Sequence, residues 1–549
     1  MPVKDAEGNT IFSRELQMTR WVEHFESLLN RPPPIEPQEI LPARNNLDIN
    51  CEPPTLEEIE NAKGDLSNCN NYRGITLLSI PGKVFTRILL ERIKEAVDGQ
   101  LRDNQAGFRK NRSCTDQIAA LRIIVEQSAE WNSPLLVNFI DFEKAFDSID
   151  RDTLWKLLRH YGIPPKIVTL IQKMYDGTSC KVLHEGRLTH SFEIKTGVRQ
   201  GCLLSPFLFI LAVDWLMQES TSGSTNGIQW TLWTQLDDLD FADDIALVSH
   251  NHSQMQDKTS TVNQLSGSIG LRIHPGKSKM LQIKTEDTQA IVGGKSLEVV
   301  EKFMYLGSVI DHSGGTAADV RSRVAKARAA FKTLDKIWRD RTISTKTKIR
   351  LFNSNVKSAL LYGCETWSLN QSSLKKVQTF VNRYLRRILR IFWPERIRNE
   401  ELWNRARQRP IREEITQRRW RWLGRTLRKP RKSITRQSLQ WNAQGKRSRG
   451  RPRTKWRRNL EEEMKASGNS WRDITRMAQD RREWGTVVRG LYPLQGPKSH
   501  SQGKESWQGA PHAVEGWPVQ GSSSRPWLPG PGSLPVPADA SLAPALAHC

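Results

Sequence analysis

The stretch FADDIALVSH (241–250) places two adjacent carboxylates, Asp243 and Asp244, in a tight turn that runs into a strand. Two-metal phosphoryl transfer needs such acids, because the cations must sit about 3.5–4 Å apart to hold the attacking and leaving oxygens in line. An isolated acid pair at a turn says little, since Asp is a common turn residue. A second stretch, FIDFEKAFDSID (139–150), changes its weight. Asp141 closes an apolar run, LLVNFIDF (135–142), so it emerges at the rim of a sheet. Phe146 follows five residues later, where a sugar ring could pass. Asp147 and Asp150 precede DTLWKLL and read as caps or solvated groups of that helix.

Between the two acid sites lies TGVRQGCLLSPFLF (196–209). Its Arg199-Gln200-Gly201 turn leads into a buried helix that opens near Ser205, with Pro206 in the first turn. A glycine there lets backbone approach a base pair closely, and a glutamine can hydrogen-bond a nucleotide. Working outward, KVFTRILLERIKEAV (83–97) and DTLWKLLRHYG (152–162) read as helices, the second stopped by Gly162 and Pro164. The mixture of strands and helices from Asn71 to about Thr316 is that of an α+β domain. Basic helices follow over 317–400, in VRSRVAKARAAFKTLDKIW (320–338) and again from Ser373 to Phe392. Upstream, RWVEHFESLLN (20–30) is amphipathic, RPPPIEPQEILP (31–42) is a linker, and Thr55 with Glu58 forms a capping box.

The chain of 549 residues has a net charge of +24. Residues 383–458 hold 27 Lys/Arg against 5 Asp/Glu, nearly the whole excess, which favours a dedicated surface for a polyanion. Two parts of it, WRWLGRTLRKPRK (420–432) and RGRPRTKWRR (449–458), interleave indoles with cations as base-stacking surfaces do. Arg419, Trp420, Arg421, Trp422, Arg449, Arg451, Arg453, Lys455, Trp456 and Arg457 are therefore the candidate nucleic-acid contacts. Past Leu494 the composition is Gly, Pro, Ser and Ala without periodicity, which reads as disorder. The seven cysteines are scattered, odd in number and free of CxxC pairs, which argues for a reducing compartment and against a structural zinc site. With no apolar leader and no membrane-length run, the expectation is an intracellular protein, nuclear or cytoplasmic, that is not secreted and has no membrane partner.

The order Asp141, Arg199-Gln200-Gly201, Phe241-Ala242-Asp243-Asp244 resembles motifs A, B and C of reverse transcriptases. NYRGITLLSIPGKVF (71–85), QAGFRKNRSCTDQI (105–118), TGVRQGCLLSP and DDLDFADDIALVSH are similar to the words of retrotransposons without long terminal repeats, above all the RTE-like group. GLRIHPGKSKML (270–281) resembles motif D and EKFMYLGSVI (301–310) motif E. The resemblance implies a right-hand polymerase: truncated fingers and an antiparallel palm over 63–316, a helical thumb over 317–400, a basic C-terminal region over 401–492, and a tail over 493–549, after an N-terminal segment of 1–62. It implies an RNA-directed DNA polymerase that moves a dNMP onto a primer 3′-hydroxyl with two Mg²⁺ ions, Mn²⁺ being a possible substitute. The partners implied are an RNA template, a DNA primer or target, and dNTPs. No oligomeric state follows from the sequence.

Residue by residue, the resemblance gives Asp141, Asp243 and Asp244 the metals, with the Phe142 backbone near the triphosphate and Phe146 as the sugar gate. Gln200 and Gly201 contact nucleotide and template, Arg73 lies in the fingers, and Lys277 or Lys279 stands near the leaving pyrophosphate. Phe303, Tyr305, Leu306 and Gly307 form the primer grip. Two departures are expected from the family pattern: no endonuclease set precedes the polymerase, and ENA (60–62) runs directly into KGDLSNC (63–69), shortening the fingers. A second reading of the same chain is an inactive retroelement remnant that binds RNA or DNA through its basic C-terminal region.

Overall fold

The computed structural model describes residues 3–4, 10–11, 13–31 and 78–491, except 185–186, 224, 286–288 and 448–454. The linker after Arg31, the capping box at Thr55, the shortened junction at 60–63, Arg73, Arg449, Arg451, Arg453 and the tail from 493 lie outside the described residues.

The centre is a five-stranded sheet. Its strands are β1 (Leu135–Ile140), β2 (Asp238–Phe241), β3 (Asp244–Ser249), β4 (Lys279–Ile283) and β5 (Glu298–Val299), in the order β2-β3-β1-β4-β5. All neighbours are antiparallel except β4 and β5. The run LLVNFI becomes a strand with both faces covered. Leu136 and Ile140 enter one apolar cluster, and Leu135, Val137 and Phe139 enter the other, the period of two expected of a pleated strand. Buried Asn138 is the polar exception, and its amide N–H is satisfied by Thr259 Oγ1 at 2.9 Å.

Helices α1 (Arg14–Leu29), α2 (Ile80–Asp98) and α3 (Cys114–Glu130) precede the sheet in sequence. α4 (Arg151–His160), α5 (Pro165–Tyr175), α6 (Ser205–Thr221) and α7 (His252–Ser268) are threaded between its strands. One face packs on α2, α4, α5, α6 and α7, and the other on α3. α6 is buried along almost its whole length, as its apolar body predicts, with Pro206 in its first turn. Asp150 caps α4 by accepting the Thr153 N–H at 2.8 Å, as its position before DTLWKLL suggests. Asp147 does not cap. It is buried and accepts a hydrogen bond from Gln200 Nε2 at 2.9 Å.

After the sheet comes a hairpin of β6 (Lys302–Tyr305) and β7 (Ser308–Asp311), then α8 (Ala317–Thr333) and α9 (Gln371–Leu389), which build a core of their own. The single helix expected through Trp338 breaks after Thr333, and a short helix, Asp335–Arg339, follows. The break lets Trp338 fold back onto Phe331, ring centroids 4.8 Å apart, and give its Nε1–H to the Phe331 carbonyl at 2.7 Å. α9 stops three residues short of Phe392, at Arg390 in the left-handed conformation. The last described helices include α10 (Ile411–Leu427), α11 (Trp456–Ala466) and α12 (Arg481–Gly490). Their apolar faces share one cluster with Ala119 and Ile123 of α3, so the C-terminal helices are part of the wall behind the sheet. Among the described residues no helix is long and apolar enough to cross a membrane.

Candidate active site

The pairing of β1 with β3 sets Ile140 opposite Ile245. One step further along the same register, Asp141 leaves β1 beside Asp244, the first residue of β3. Asp243 lies in the two-residue turn between β2 and β3, where Phe241 pairs with Asp244. The three acids that the sequence singles out thus converge at one end of the sheet. Asp244 is open to solvent, yet enough protein surrounds its carboxyl that desolvation, then repulsion from Asp243 and Asp141, pushes its pKa up to about 7. Carboxylates that repel one another at a sheet rim are a donor set suited to a hard divalent cation. Among the described residues no three His, Cys, Asp or Glu side chains are placed so that they could hold a metal ion by themselves, as a cage would. Magnesium retains waters and substrate phosphates, so this donor set fits it without a cage.

The segment around Asp141 is pinned from the motif D side. Asp141 N–H donates to Ser278 Oγ at 3.1 Å, and its carbonyl accepts from His274 N–H at 2.8 Å. Phe142 is buried and bridges Ile273, which leaves only its backbone near the rim. Lys277 Nζ lies 3.8 Å from Asp141 Oδ2, an exposed pair contributing about 0–1 kcal/mol. Lys279 is turned away, onto Glu298 at 2.7 Å and the Gly276 carbonyl.

The acid-pair turn is held by residues that sequence reasoning passed over. Ala242 has φ +57°, a conformation that costs an L-residue about 1 kcal/mol or more. Gln105, fully buried, secures it: its Oε1 accepts the Ala242 N–H and the Gly107 N–H, each at 2.8 Å. Gly107 has no room for a side chain, because a Cβ would strike the Ala242 backbone. Behind the turn, Arg102 joins Asp238 at 3.0 Å and Asp240 at 2.6 Å, both on β2, while its backbone N–H donates to Asp214 of α6. Burial, then Asp238, raises the Asp240 carboxyl well above its usual range, with Arg102 opposing. The signal for these residues was the polar character of Gln105 and Arg102 inside QAGFRKN and its flank. Their partners lie more than 100 residues away, which no local pattern reveals.

Gln200 stands beside the site with its amide on Asp147. Gly197, at φ +75°, allows that approach, since a Cβ would come within 2.7 Å of the Asp147 backbone. Gly201 is exposed at φ +101°. Phe146 is half-buried and stacked on Phe209, centroids 4.5 Å apart.

Two groups of expected contacts need correction. In the β6–β7 hairpin, Tyr305 is buried and gives its hydroxyl to the Leu239 carbonyl at 2.9 Å, so it braces β2 and cannot touch a primer. Leu306 is largely buried, and its carbonyl and that of Gly307 are taken by the Tyr362 hydroxyl and the Arg323 guanidinium. Phe303 stacks on Phe139 at 4.1 Å. Met304, which the sequence did not flag, is 51 % exposed, and Lys302 at the start of the strand is exposed too. In the C-terminal region, Trp420, Trp422 and Trp456 lie in the core, at 0–2 % exposure, where they cannot stack a base. Arg419 is buried against Glu463 and the Trp367 carbonyl, and Lys455 is buried on the Glu126 carbonyl. Arg457 donates to Asn442 and to the Trp441 and Ser438 carbonyls. Of the candidates described in this region, only Arg421 is exposed.

Residues 61–310 match the family described as reverse transcriptase (RNA-dependent DNA polymerase), and residues 330–362 match a domain of unknown function. A retrovirus-related Pol polyprotein from the type-1 retrotransposable element R2 of Popillia japonica is 26% identical over 60% of this chain and 46% of its own length. A putative transposon-derived protein of Caenorhabditis elegans is 27% identical over 46% of this chain and 95% of its own. The RNA-directed DNA polymerase from mobile element jockey of Drosophila funebris is 22% identical over 60% and 37%. The chain therefore spans under half the length of the R2 and jockey relatives. Among solved structures, telomerase from Candida Tropicalis in complex with a fragment of telomeric RNA aligns at 11% identity and a TM-score of 0.35, over 75% of this chain and 56% of that one. Residues 61–310, which carry the acid pair and the strand-end acid on one sheet rim, thus form a domain that matches the reverse transcriptase family, and the chain is similar to proteins of the retrotransposable elements R2 and jockey.

Proposed function

We propose that this chain is an RNA-directed DNA polymerase of RTE-like retrotransposon origin, with 63–316 as fingers and palm and 317–400 as thumb. The observation that carries the reading is the convergence of Asp141 with the Asp243–Asp244 turn, fixed by strand register and locked by Gln105. A pair of divalent cations, Mg²⁺ or Mn²⁺, would be held by these three carboxylates and would neutralise the charge of a dNTP. The chain's own residues do the rest. The β2–β3 turn fixes two of the acids without reorganisation, as electrostatic catalysis requires. The half-buried Phe146 ring, backed by Phe209, sits next to Asp147 and Gln200, the place for a sugar to be checked. Lys277, beside Asp141, supplies a mobile positive charge to a departing phosphate. The RNA template, DNA primer and dNTPs are the substrates of this reading, acting in the nucleus or cytoplasm.

Primer extension on poly(rA)/oligo(dT) tests it. The wild-type chain incorporates dTTP with Mg²⁺ or Mn²⁺. Asp243→Asn/Asp244→Asn lowers the rate by at least about 10³-fold, since removing groups aimed at the reacting charge costs of that order. Incorporation that is absent in the wild type, or indifferent to the substitutions, sinks the reading and leaves an inactive remnant.

A further inference from the structure

A groove of about 590 Å³ runs between α8 and α9, within the segment read as thumb and away from the acid rim. Five cations line it: Arg321 and Arg328 on one wall, Lys375, Lys376 and Arg383 on the other. All five are exposed, no carboxylate lines the groove, and none of the five is engaged in an ion pair or hydrogen bond among the described residues. Elsewhere the neighbouring arginines are engaged. Arg387 pairs with Asp335 at 2.7 Å, and Arg386 binds Asn399 at 2.8 Å. Like charges crowded without counter-charge repel, so their persistence along one groove points to a polyanionic ligand.

The groove is not the face of α8 that meets the hairpin next to the acid site. Arg323 donates to the Gly307 carbonyl, and Lys326 approaches the Met304 sulfur at 3.7 Å. At 3.6 residues per turn, Arg321 and Arg328 lie about 140–160° around the helix from Arg323. Arg321 and Arg328 are two turns apart, about 10 Å along the axis. That length spans about three phosphates of a strand stacked as in a duplex, at about 3.4 Å per charge, and fewer of an extended strand. The floor is rigid and apolar: Val320 and Phe380 are buried, and Tyr384 is wedged between Phe331 at 4.2 Å and Phe380 at 4.5 Å. Cations on both walls of the groove can meet one phosphodiester backbone from two sides.

We infer that this groove binds the phosphodiester backbone of single-stranded nucleic acid, at a site separate from the acid rim. The inference does not rest on polymerase activity. Its test is binding of fluorescently labelled 20-mers of rU and dT, and of a 20-base-pair duplex, read by anisotropy across a salt series. Arg328→Glu/Lys375→Glu/Arg383→Glu is compared with Arg412→Glu/Arg425→Glu/Arg472→Glu, an equal charge change at exposed arginines of the C-terminal region. The groove variant is expected to lose about tenfold or more of single-strand affinity, and about 2 from the log–log salt slope, three contacts at roughly 0.7 each. Loss for rU, for dT or for both supports the site and names the sugar it takes. Equal loss in both variants means diffuse attraction and overturns the site, as does no loss, or loss confined to the duplex. Arg328→Gln/Lys375→Gln/Arg383→Gln, with near-ultraviolet circular dichroism, guards against a misfolded variant by testing the same loss without added acids. Primer extension is scored separately, so an inactive wild type rejects the polymerase reading and leaves this one standing.

Discussion

The Arg-rich helices at the C-terminus and the two helices of the expected thumb look alike as sequence, yet the cations that stand out in each differ as chemistry. On α10 and α11, Arg419 meets Glu463, and Trp420 and Thr416 donate to the same carboxylate, while Lys429, just past the end of α10, reaches across to Asp116 of α3. Trp422 gives its indole N–H to that Asp116 at 2.9 Å, and the Trp456 N–H donates to Glu126. These cations and indoles are internal fittings that bolt the C-terminal helices to the back of the sheet. On α8 and α9 the cations of the groove face no acid at all. Charge count therefore marks a nucleic-acid surface only when the charges are unpaired, and pairing is a property of the fold.

The comparison breaks first at the tryptophans. Trp422→Ala should cost about 3–5 kcal/mol, the range for emptying a buried aromatic site, and also strand the Asp116 carboxylate. Thermal unfolding is the measurement. A large fall in Tm is expected, whereas an unchanged Tm with weakened nucleic-acid binding would return Trp422 to the surface role that its sequence suggested. Glu463→Leu comes next, at about 3 kcal/mol, because it leaves the fully buried Arg419 charge without its partner. Chemical denaturation reads this one, and a loss under 1 kcal/mol would mean that Arg419 swings out to water.

How far the sequence could be read follows the range of each interaction. The meeting of Asp141, Asp243 and Asp244 at one end of the sheet was legible from short words: an acid at a strand end, an acid pair at a turn. The strands and helices around them were legible from period and caps, as at Asp150. The clamp on the turn was not, since Gln105 and Ala242 are 137 residues apart and meet only when β2 is in place. Tyr305 was misassigned for the same reason. An aromatic in a hairpin reads alike whether its hydroxyl points to a primer or to the Leu239 carbonyl 66 residues earlier. The buried arginines erred in the opposite sense. An Arg at helical spacing beside Trp implies a binding face until Glu463, 44 residues on, is folded against it.

The smallest effect is the most telling. Arg328→Glu/Lys375→Glu/Arg383→Glu should leave stability unchanged or raise it by a few tenths of a kcal/mol, read as a small rise in Tm. Exposed substitutions ordinarily fall within about 0.5 kcal/mol, and here each one removes a cation repelled by the others. At the C-terminal helices, loss of a partner lowers Tm because the charge belongs to the folded protein. In the groove, loss of the charge spares Tm and lowers binding, because the missing partner is not part of this chain. A set of side chains that slightly destabilises the free protein is what a stability–function trade-off produces at a binding site. If the triple variant instead unfolds several degrees lower, these cations have internal partners after all, and the two basic regions are one kind of surface.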